Sequence, residues 1–549
     1  MGTDALSRRH ILQRSAGAGG VLALGPLLAG LSTGATGAAE AAEPPGGTGG
    51  NDVYGRIGVR PVINARGTFT ILSGSLMLPQ VREAIDAAAR HYVHLDELAD
   101  AVGERLAALT GAEFGLVSSG CAAGLTHATA ACVAGGNPDL HIRIPDLTGF
   151  DRTEVIIPRH SRNVYEAAVS AVGLKVVEVS GRAELERALG PRTALIYVMA
   201  GPRVDESELD TKVLARAAKP HGVPVLVDAA AEILTIPNVH LENGADLVAY
   251  SGGKCIRGPQ SAGLLLGRED LVRAAWVHSA PHHGFARGFK VGKEEAVGML
   301  AAVEMWVRRD HEAEYARWTS WLRSLARTVR AVEGVSTETV KPEGLSNRTP
   351  SLKILWDGKK LGVSGKTVMD TLFEGGEGGE GGRGAPRIAL NEAGDEKNGR
   401  TGVLVTPYML QPGDTKTIGR HLVALLRDPP PPPEEPRPPT ADVSGTWKLT
   451  IRYAAGSSRA HRLTLRQKGG EVTGSHTGEF VTREATGSVS GDTLTLRSVL
   501  GEEHGDSLDF TFTGTVEDGA LSGDLSMGEY LTASWQARRQ SASATQEDK

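Results

Sequence analysis

Between residues 52 and 427, short β-branched runs alternate with stretches whose apolar residues recur every three or four positions. That alternation predicts an α/β fold built on a largely parallel, doubly wound sheet. Strands are expected over residues 114–118, 155–158, 175–179, 194–199, 223–228, 247–250 and 263–266, with helices over 122–133, 164–172 and 209–219. Beyond residue 440 the period becomes two. Runs such as Thr446-Trp447-Lys448-Leu449-Thr450-Ile451 and Phe510-Thr511-Phe512 are separated by Gly-Asp, Gly-Gly or Asp-Gly turns. This predicts a small antiparallel all-β unit, barrel-like or a sandwich. Residues 429–439 hold eight of the 28 prolines and read as a stiff spacer. The Glu/Gly run over 374–384 reads as a loop. The expected division is 1–41 address, 52–285 large domain with an N-terminal segment, 286–427 small domain, 428–440 linker and 441–540 β unit.

Composition narrows the function. The 549 residues are 40% hydrophobic and 23% charged with a net charge of −6, which leaves no basic excess to hold nucleic acid. Three cysteines, Cys121, Cys132 and Cys255, are too few for a disulfide framework or a zinc site, and His91 with His94 lacks a third ligand, so no metal is expected. At the start, Ser7-Arg8-Arg9-His10 precedes a weakly apolar, glycine-rich stretch and small residues near Ala41. That order is the layout of a twin-arginine signal, and the apolar run is too short and glycine-broken for a membrane anchor. Export through the twin-arginine machinery is the expectation. Cleavage after Ala41 leaves a chain of −7. This route carries folded proteins, commonly with a cofactor already in place.

The candidate chemistry follows the strands. Ser251-Gly252-Gly253-Lys254 ends one apolar strand, crowded by glycines that would admit a planar ligand, and Val225-Leu226-Val227-Asp228 ends another. An amine and a carboxylate on strand ends, at the edge where open α/β sheets bind ligands, are what pyridoxal phosphate requires: a Schiff-base lysine and an acid for the pyridinium nitrogen. Ser118-Ser119-Gly120-Cys121, a strand followed by a small-residue turn and a helix start, supplies Ser119, Gly120 and Cys121 as phosphate donors. His160, after the strand at 155–158, is placed to lie on the ring face.

These residues resemble a fold-type I pyridoxal-phosphate enzyme. The resemblance is to the group of L-seryl-tRNA(Sec) selenium transferase (selenocysteine synthase) and D-glucosaminate-6-phosphate ammonia-lyase, and it runs over about residues 52–428. Its carriers are Arg60-Pro61-Val62-Ile63-Asn64-Ala65-Arg66-Gly67-Thr68, Leu95-Asp96-Glu97-Leu98, the 118–124 turn, Asp228, residues 251–263 and Arg287-Gly288-Phe289-Lys290-Val291-Gly292-Lys293-Glu294-Glu295. It implies a mostly parallel large domain, a small α+β domain, and a homodimer or larger. It further implies Lys254 as the cofactor lysine and α-proton base, Asp228 as the ring-nitrogen partner, His160 as the stacking residue and Ser251 as a further phosphate ligand. The selenium transferases carry an N-terminal tRNA-binding domain where an export signal is expected in this chain, and a chain of −7 holds tRNA poorly. The expected reaction is therefore α,β-elimination on an amino acid or amino-sugar acid. Arg66, Arg287, Lys290 and Lys293 are substrate-anion candidates, with surface salt bridges the competing account of each. Selenium transfer, transamination, racemisation and aldol cleavage share the same chemistry and stay open, as does a non-catalytic binding protein. The β unit shows no acid/base or ligand constellation and reads as an accessory or stabilising module, with binding of a glycan or surface partner as the alternative.

Overall fold

The computed structural model describes residues 52–376, 385–431, 435–501, 507–517 and 519–540. The export signal expected over 1–41 lies outside them, as do most of the Glu/Gly run and three linker residues. Of the unit that ends at Arg60, the described residues 52–60 hold a single 3-10 turn, Gly55–Ile57, closed by Gly58 at φ 73°. The other unit begins at Pro61.

This second unit opens with β1 (Val62–Asn64), followed by β2 (Phe114–Ser118), β3 (Glu154–Pro158), β4 (Lys175–Val179), β5 (Thr193–Met199), β6 (Val225–Asp228), β7 (Leu247–Ser251) and β8 (Gly263–Gly267). Strands β2 to β8 form a seven-stranded sheet in the order β2-β8-β7-β6-β5-β3-β4. It is parallel from β4 through β7, while β8 runs antiparallel to both β7 and β2. Both faces are covered, which is why these strands are nearly continuous apolar runs. Ile196, Val198, Val225, Val227 and Val248 pack into one layer, and Leu195, Tyr197, Leu226 and Ala249 into the other. The second layer contains helix α1 (Gly120–Ala134), built of small residues and buried along most of its length. The helix expected over 164–172 is instead a 3-10 turn, Val164–Glu166, joined to Ala167–Ser170, because Asn163 and Glu166 close a capping box there.

The boundary expected at 285/286 moves. Helix α2 (Lys293–Arg308) buries Met299, Ala302, Val303 and Trp306 in the core of the large domain. The small domain's core starts with α3 (His311–Val329), which contributes Leu322, Leu325 and Val329. Its strands are β9 (Ser336–Val340), β10 (Ser351–Trp356), β11 (Arg387–Ala389), β12 (Asn391–Asp395) and β13 (Arg400–Val405), with an antiparallel sheet in the order β12-β13-β10-β9. The segment at β1, counted with the large domain from sequence, pairs in parallel with β11 and buries Ala65 in the small domain's core. This three-residue strand was not among those expected from the hydrophobic pattern.

Strands β14 (Gly445–Arg452), β15 (Ser458–Lys468), β16 (Glu471–Thr477), β17 (Thr482–Ser490), β18 (Thr493–Gly501), β19 (Ser507–Glu517), β20 (Ala520–Ser526) and β21 (Thr532–Arg539) close into a barrel. Alternate residues, Trp447, Leu449 and Ile451 among them, fill its interior. The second half of the linker is laid on the barrel: Arg437 N donates to Ser490 Oγ at 2.9 Å and Thr440 N to Gly491 O at 2.8 Å. The barrel also holds a polar chain that the sequence reading did not find. Tyr453 Oη lies 3.2 Å from His461 Nε2, His461 Nδ1 lies 2.8 Å from His476 Nε2, and His476 Nδ1 lies 3.0 Å from Ser498 Oγ. No helix among the described residues is long and apolar enough to cross a membrane.

Candidate active site

Strand β6 delivers Asp228 to the sheet's C-terminal edge, where it is 2% exposed. Its Oδ1 accepts a hydrogen bond from Ala230 N at 3.1 Å and lies 3.5 Å from the Cys121 thiol. Its Oδ2 accepts from Tyr197 Oη at 3.0 Å. Burial pushes the carboxyl above its ordinary range, while the Ala230 N–H, the Tyr197 hydroxyl, the Lys254 charge and the Cys121 thiol pull it back. Lys254 sits half-buried in the turn after β7, and its charge acts on both Asp228 and Cys121. The structure thus brings Cys121, Asp228 and Lys254 into one electrostatic neighbourhood.

The glycines around Lys254 serve packing, which corrects the expectation that they admit a planar ligand. A Cβ at Gly252 would stand 2.7 Å from Ala262 O, and one at Gly253 would stand 2.7 Å from the Gln260 Cα. Open space lies instead at Gly120, where φ is +82° and no atom comes within 4 Å of a built Cβ. Ser119 occupies the N-cap of α1 without its side chain accepting a cap hydrogen bond. The first-turn N–H groups of α1 thus lack that partner, the arrangement that binds anions. Ser251 pairs with Gly263 across the ladder, and Gly263 packs directly on Gly120 and Cys121. The phosphate candidates therefore converge on one edge.

His160 is half-buried, with Nε2 3.3 Å from Leu209 O and Nδ1 3.0 Å from Ser161 Oγ, and burial lowers its pKa. Its link to Asp228 runs through two residues that the sequence reading missed. Asn163, in the same loop, donates to Tyr197 Oη at 3.0 Å. The available signal was a single tyrosine inside the aliphatic run Ala194-Leu195-Ile196-Tyr197-Val198.

The four cationic candidates do not form one set. Arg66 Nε donates to Asn391 Oδ1 at 3.1 Å, and its guanidinium lies over the Phe69 ring. Lys293 is ion-paired with Glu294, as the salt-bridge account expected. Arg287 and Lys290 are exposed and have no ion-pair partner among the described residues.

A buried acid, a lysine whose charge reaches it and an uncapped helix start fronted by open space fit pyridoxal phosphate. Set on this sheet, they define a fold-type I pyridoxal-phosphate-dependent enzyme. Comparison with known proteins carries the assignment further. The model of the family described as Cys/Met metabolism PLP-dependent enzyme matches residues 85–275. D-glucosaminate-6-phosphate ammonia lyase of Salmonella typhimurium is 30% identical over 335 residues, covering 59% of this chain and 88% of its own. A Streptomyces 5'-C-glycyluridine monooxygenase-decarboxylase is 33% identical over 388 residues, covering 68% and 92%. L-seryl-tRNA(Sec) selenium transferase of Moorella thermoacetica is 28% identical over 338 residues, covering 55% and 64%. The solved structure of D-glucosaminate-6-phosphate ammonia-lyase superposes with a TM-score of 0.59 at 27% identity, covering 68% of this chain and 98% of its own. The chain belongs to the Cys/Met metabolism family of pyridoxal-phosphate-dependent enzymes, and it is homologous to the ammonia-lyase and to selenocysteine synthase.

Proposed function

We propose that this enzyme is exported by the twin-arginine route and catalyses α,β-elimination on an amino acid or amino-sugar acid. The observation that carries the reading is the placement of buried, triply contacted Asp228 beside Lys254 and Cys121, on a chain that covers 88% of an ammonia lyase. Bound pyridoxal phosphate supplies an electron sink at the carbon bearing the substrate's amino group. Asp228 holds the proton on the ring nitrogen, and Ser119, Gly120, Cys121 and Ser251 bind the phosphate at the start of α1. His160 covers the ring face. Lys254 would anchor the cofactor, and its amine Nζ would serve as the base that takes the substrate's α-proton. Arg287 and Lys290 meet the substrate's anionic group. The working unit is a homodimer or larger.

A second reading, oxidative decarboxylation, is favoured by the higher identity and longer coverage of the Streptomyces relative. The two differ in their small products. Incubating the purified enzyme with a panel of amino acids and amino-sugar acids, with and without oxygen, separates them. Ammonia released without oxygen supports elimination, and oxygen-dependent carbon dioxide supports the alternative.

A further inference from the structure

We propose that Tyr197 is a positioning residue for the cofactor: its hydroxyl holds Asp228 in the charged form that partners the ring nitrogen, and it ties Asp228 to the loop carrying His160. The inference rests on the reading of Asp228 given above. Tyr197 is fully buried on β5, the strand beside β6, where its own register partner is Leu226 and that of Asp228 is Met199. The direction of each hydrogen bond is determined by its neighbours. Asn163 Nδ2 donates to Ser161 O at 2.7 Å and to Tyr197 Oη at 3.0 Å, while Asn163 Oδ1 accepts from Tyr165 N at 2.8 Å. A backbone carbonyl only accepts and a backbone N–H only donates, so the amide has one orientation. The phenol oxygen therefore receives an Asn163 hydrogen. Its own hydrogen goes to Asp228 Oδ2, 3.0 Å away.

Asp228 has three donors, Tyr197 O–H, Ala230 N–H and Cys121 S–H, each of which favours the carboxylate over the acid, and the Lys254 charge acts in the same direction. The phenol is the strongest side-chain donor of the set, since thiols donate weakly. Without it, Asp228 takes up a proton more readily and presents an O–H where the ring N–H needs an acceptor. Cofactor affinity then falls as the pH falls. A simple packing defect at residue 197 lowers affinity by the same factor at every pH.

The test titrates pyridoxal phosphate into the full-chain apoprotein at pH 6, 7 and 8, read by tryptophan quenching and visible absorbance, for wild type and for Tyr197→Phe, Cys121→Ala and Asp228→Asn. Tyr197→Phe is expected to weaken binding about tenfold at pH 7, the scale of a buried hydrogen bond to a charged group. The ratio of its dissociation constant to that of wild type is expected to grow by roughly threefold or more from pH 8 to pH 6. A ratio that stays flat overturns the proposal. Asp228→Asn separates the two levels of the argument. If it binds the cofactor as tightly as wild type, the reading of Asp228 fails and the proposal with it; if it binds weakly while the Tyr197→Phe ratio is flat, only the proposal fails. Should Tyr197→Phe not fold, Cys121→Ala removes another donor, and the same trend at smaller amplitude is expected. A flat ratio there overturns the proposal equally.

Discussion

The Cys121 thiol lies 3.5 Å from Asp228 Oδ1, so a residue in the first turn of α1 touches the acid at the end of β6. Burial raises this thiol, and the Asp228 charge raises it further. The other two cysteines are also buried and free, with burial pushing Cys132 up to about 12 and Cys255 to about 11. Thiolate is the reactive form, so all three should resist attack. Native protein at pH 8 is expected to leave an aromatic disulfide reagent unreacted over minutes, whereas unfolded protein should titrate three thiols. Fast modification of Cys121 in the native state would contradict this packing.

Two glycines at the same edge should respond differently to alanine. At Gly263 a Cβ would stand 2.4 Å from the Gly120 carbonyl and 2.6 Å from Cys121 N, so Gly263→Ala must displace the start of α1. A loss of about 1–3 kcal/mol is expected, together with weaker cofactor binding. Gly120→Ala meets no atom of the chain, so its cost to stability is that of φ +82°, about 1–2 kcal/mol. Chemical denaturation and cofactor titration of both variants check the contrast. Equal cofactor affinity in Gly263→Ala and wild type would separate the turn from the binding site.

Acid should destabilise the folded chain through two buried histidines. Burial, with His278 nearby, lowers His127 to about 4; burial, with His461 and Arg483 nearby, lowers His476 to about 3. A histidine whose folded pKa lies below its unfolded value of about 6.5 binds protons better when unfolded. Its contribution to stability is therefore complete above about pH 6.5 and is lost as the pH falls towards the folded value, at up to about 1.4 kcal/mol per pH unit. The Tm is expected to drop steadily from pH 6.5 to 4, and His476→Gln should flatten that slope for the barrel. A Tm constant over this range would contradict the burial of both rings.

Arg287→Ala and Lys290→Ala are expected to raise KM by about tenfold with little change in Tm, the loss of an anion contact on an exposed surface. Lys293→Ala, whose partner Glu294 is its chain neighbour, should leave KM unchanged. Steady-state kinetics on the substrate found by product screening checks all three. An unchanged KM in the first two variants would remove them from the substrate site.

The sheet was legible because its central strands are apolar on both faces and the edge strand Lys175–Val179 still reads as a β-branched run; Phe114–Ser118 and Lys175–Val179 coincide with their expected bounds. Asp228 and Lys254 stood out as single charges at the ends of apolar runs, a signal that needs no tertiary information. The missed features depend on contacts between distant segments. Tyr197 looks like one more core residue until Asp228, 31 positions on, is seen to accept its hydroxyl. Gly252 and Gly253 suggested space for a ligand, but local sequence does not reveal that Ala262 and Gln260 fill it. In the barrel, His461 and His476 lie 15 positions apart on adjacent strands, and only the register of β15 and β16 brings them together.

The central claim is that Lys254 carries the cofactor. Full-chain enzyme loaded with pyridoxal phosphate should be reduced with borohydride, digested and mapped by mass spectrometry, beside a Lys254→Ala variant. One modified peptide, containing Lys254 and absent from the variant, is the expected result. Modification at another lysine, or at none, would contradict the account.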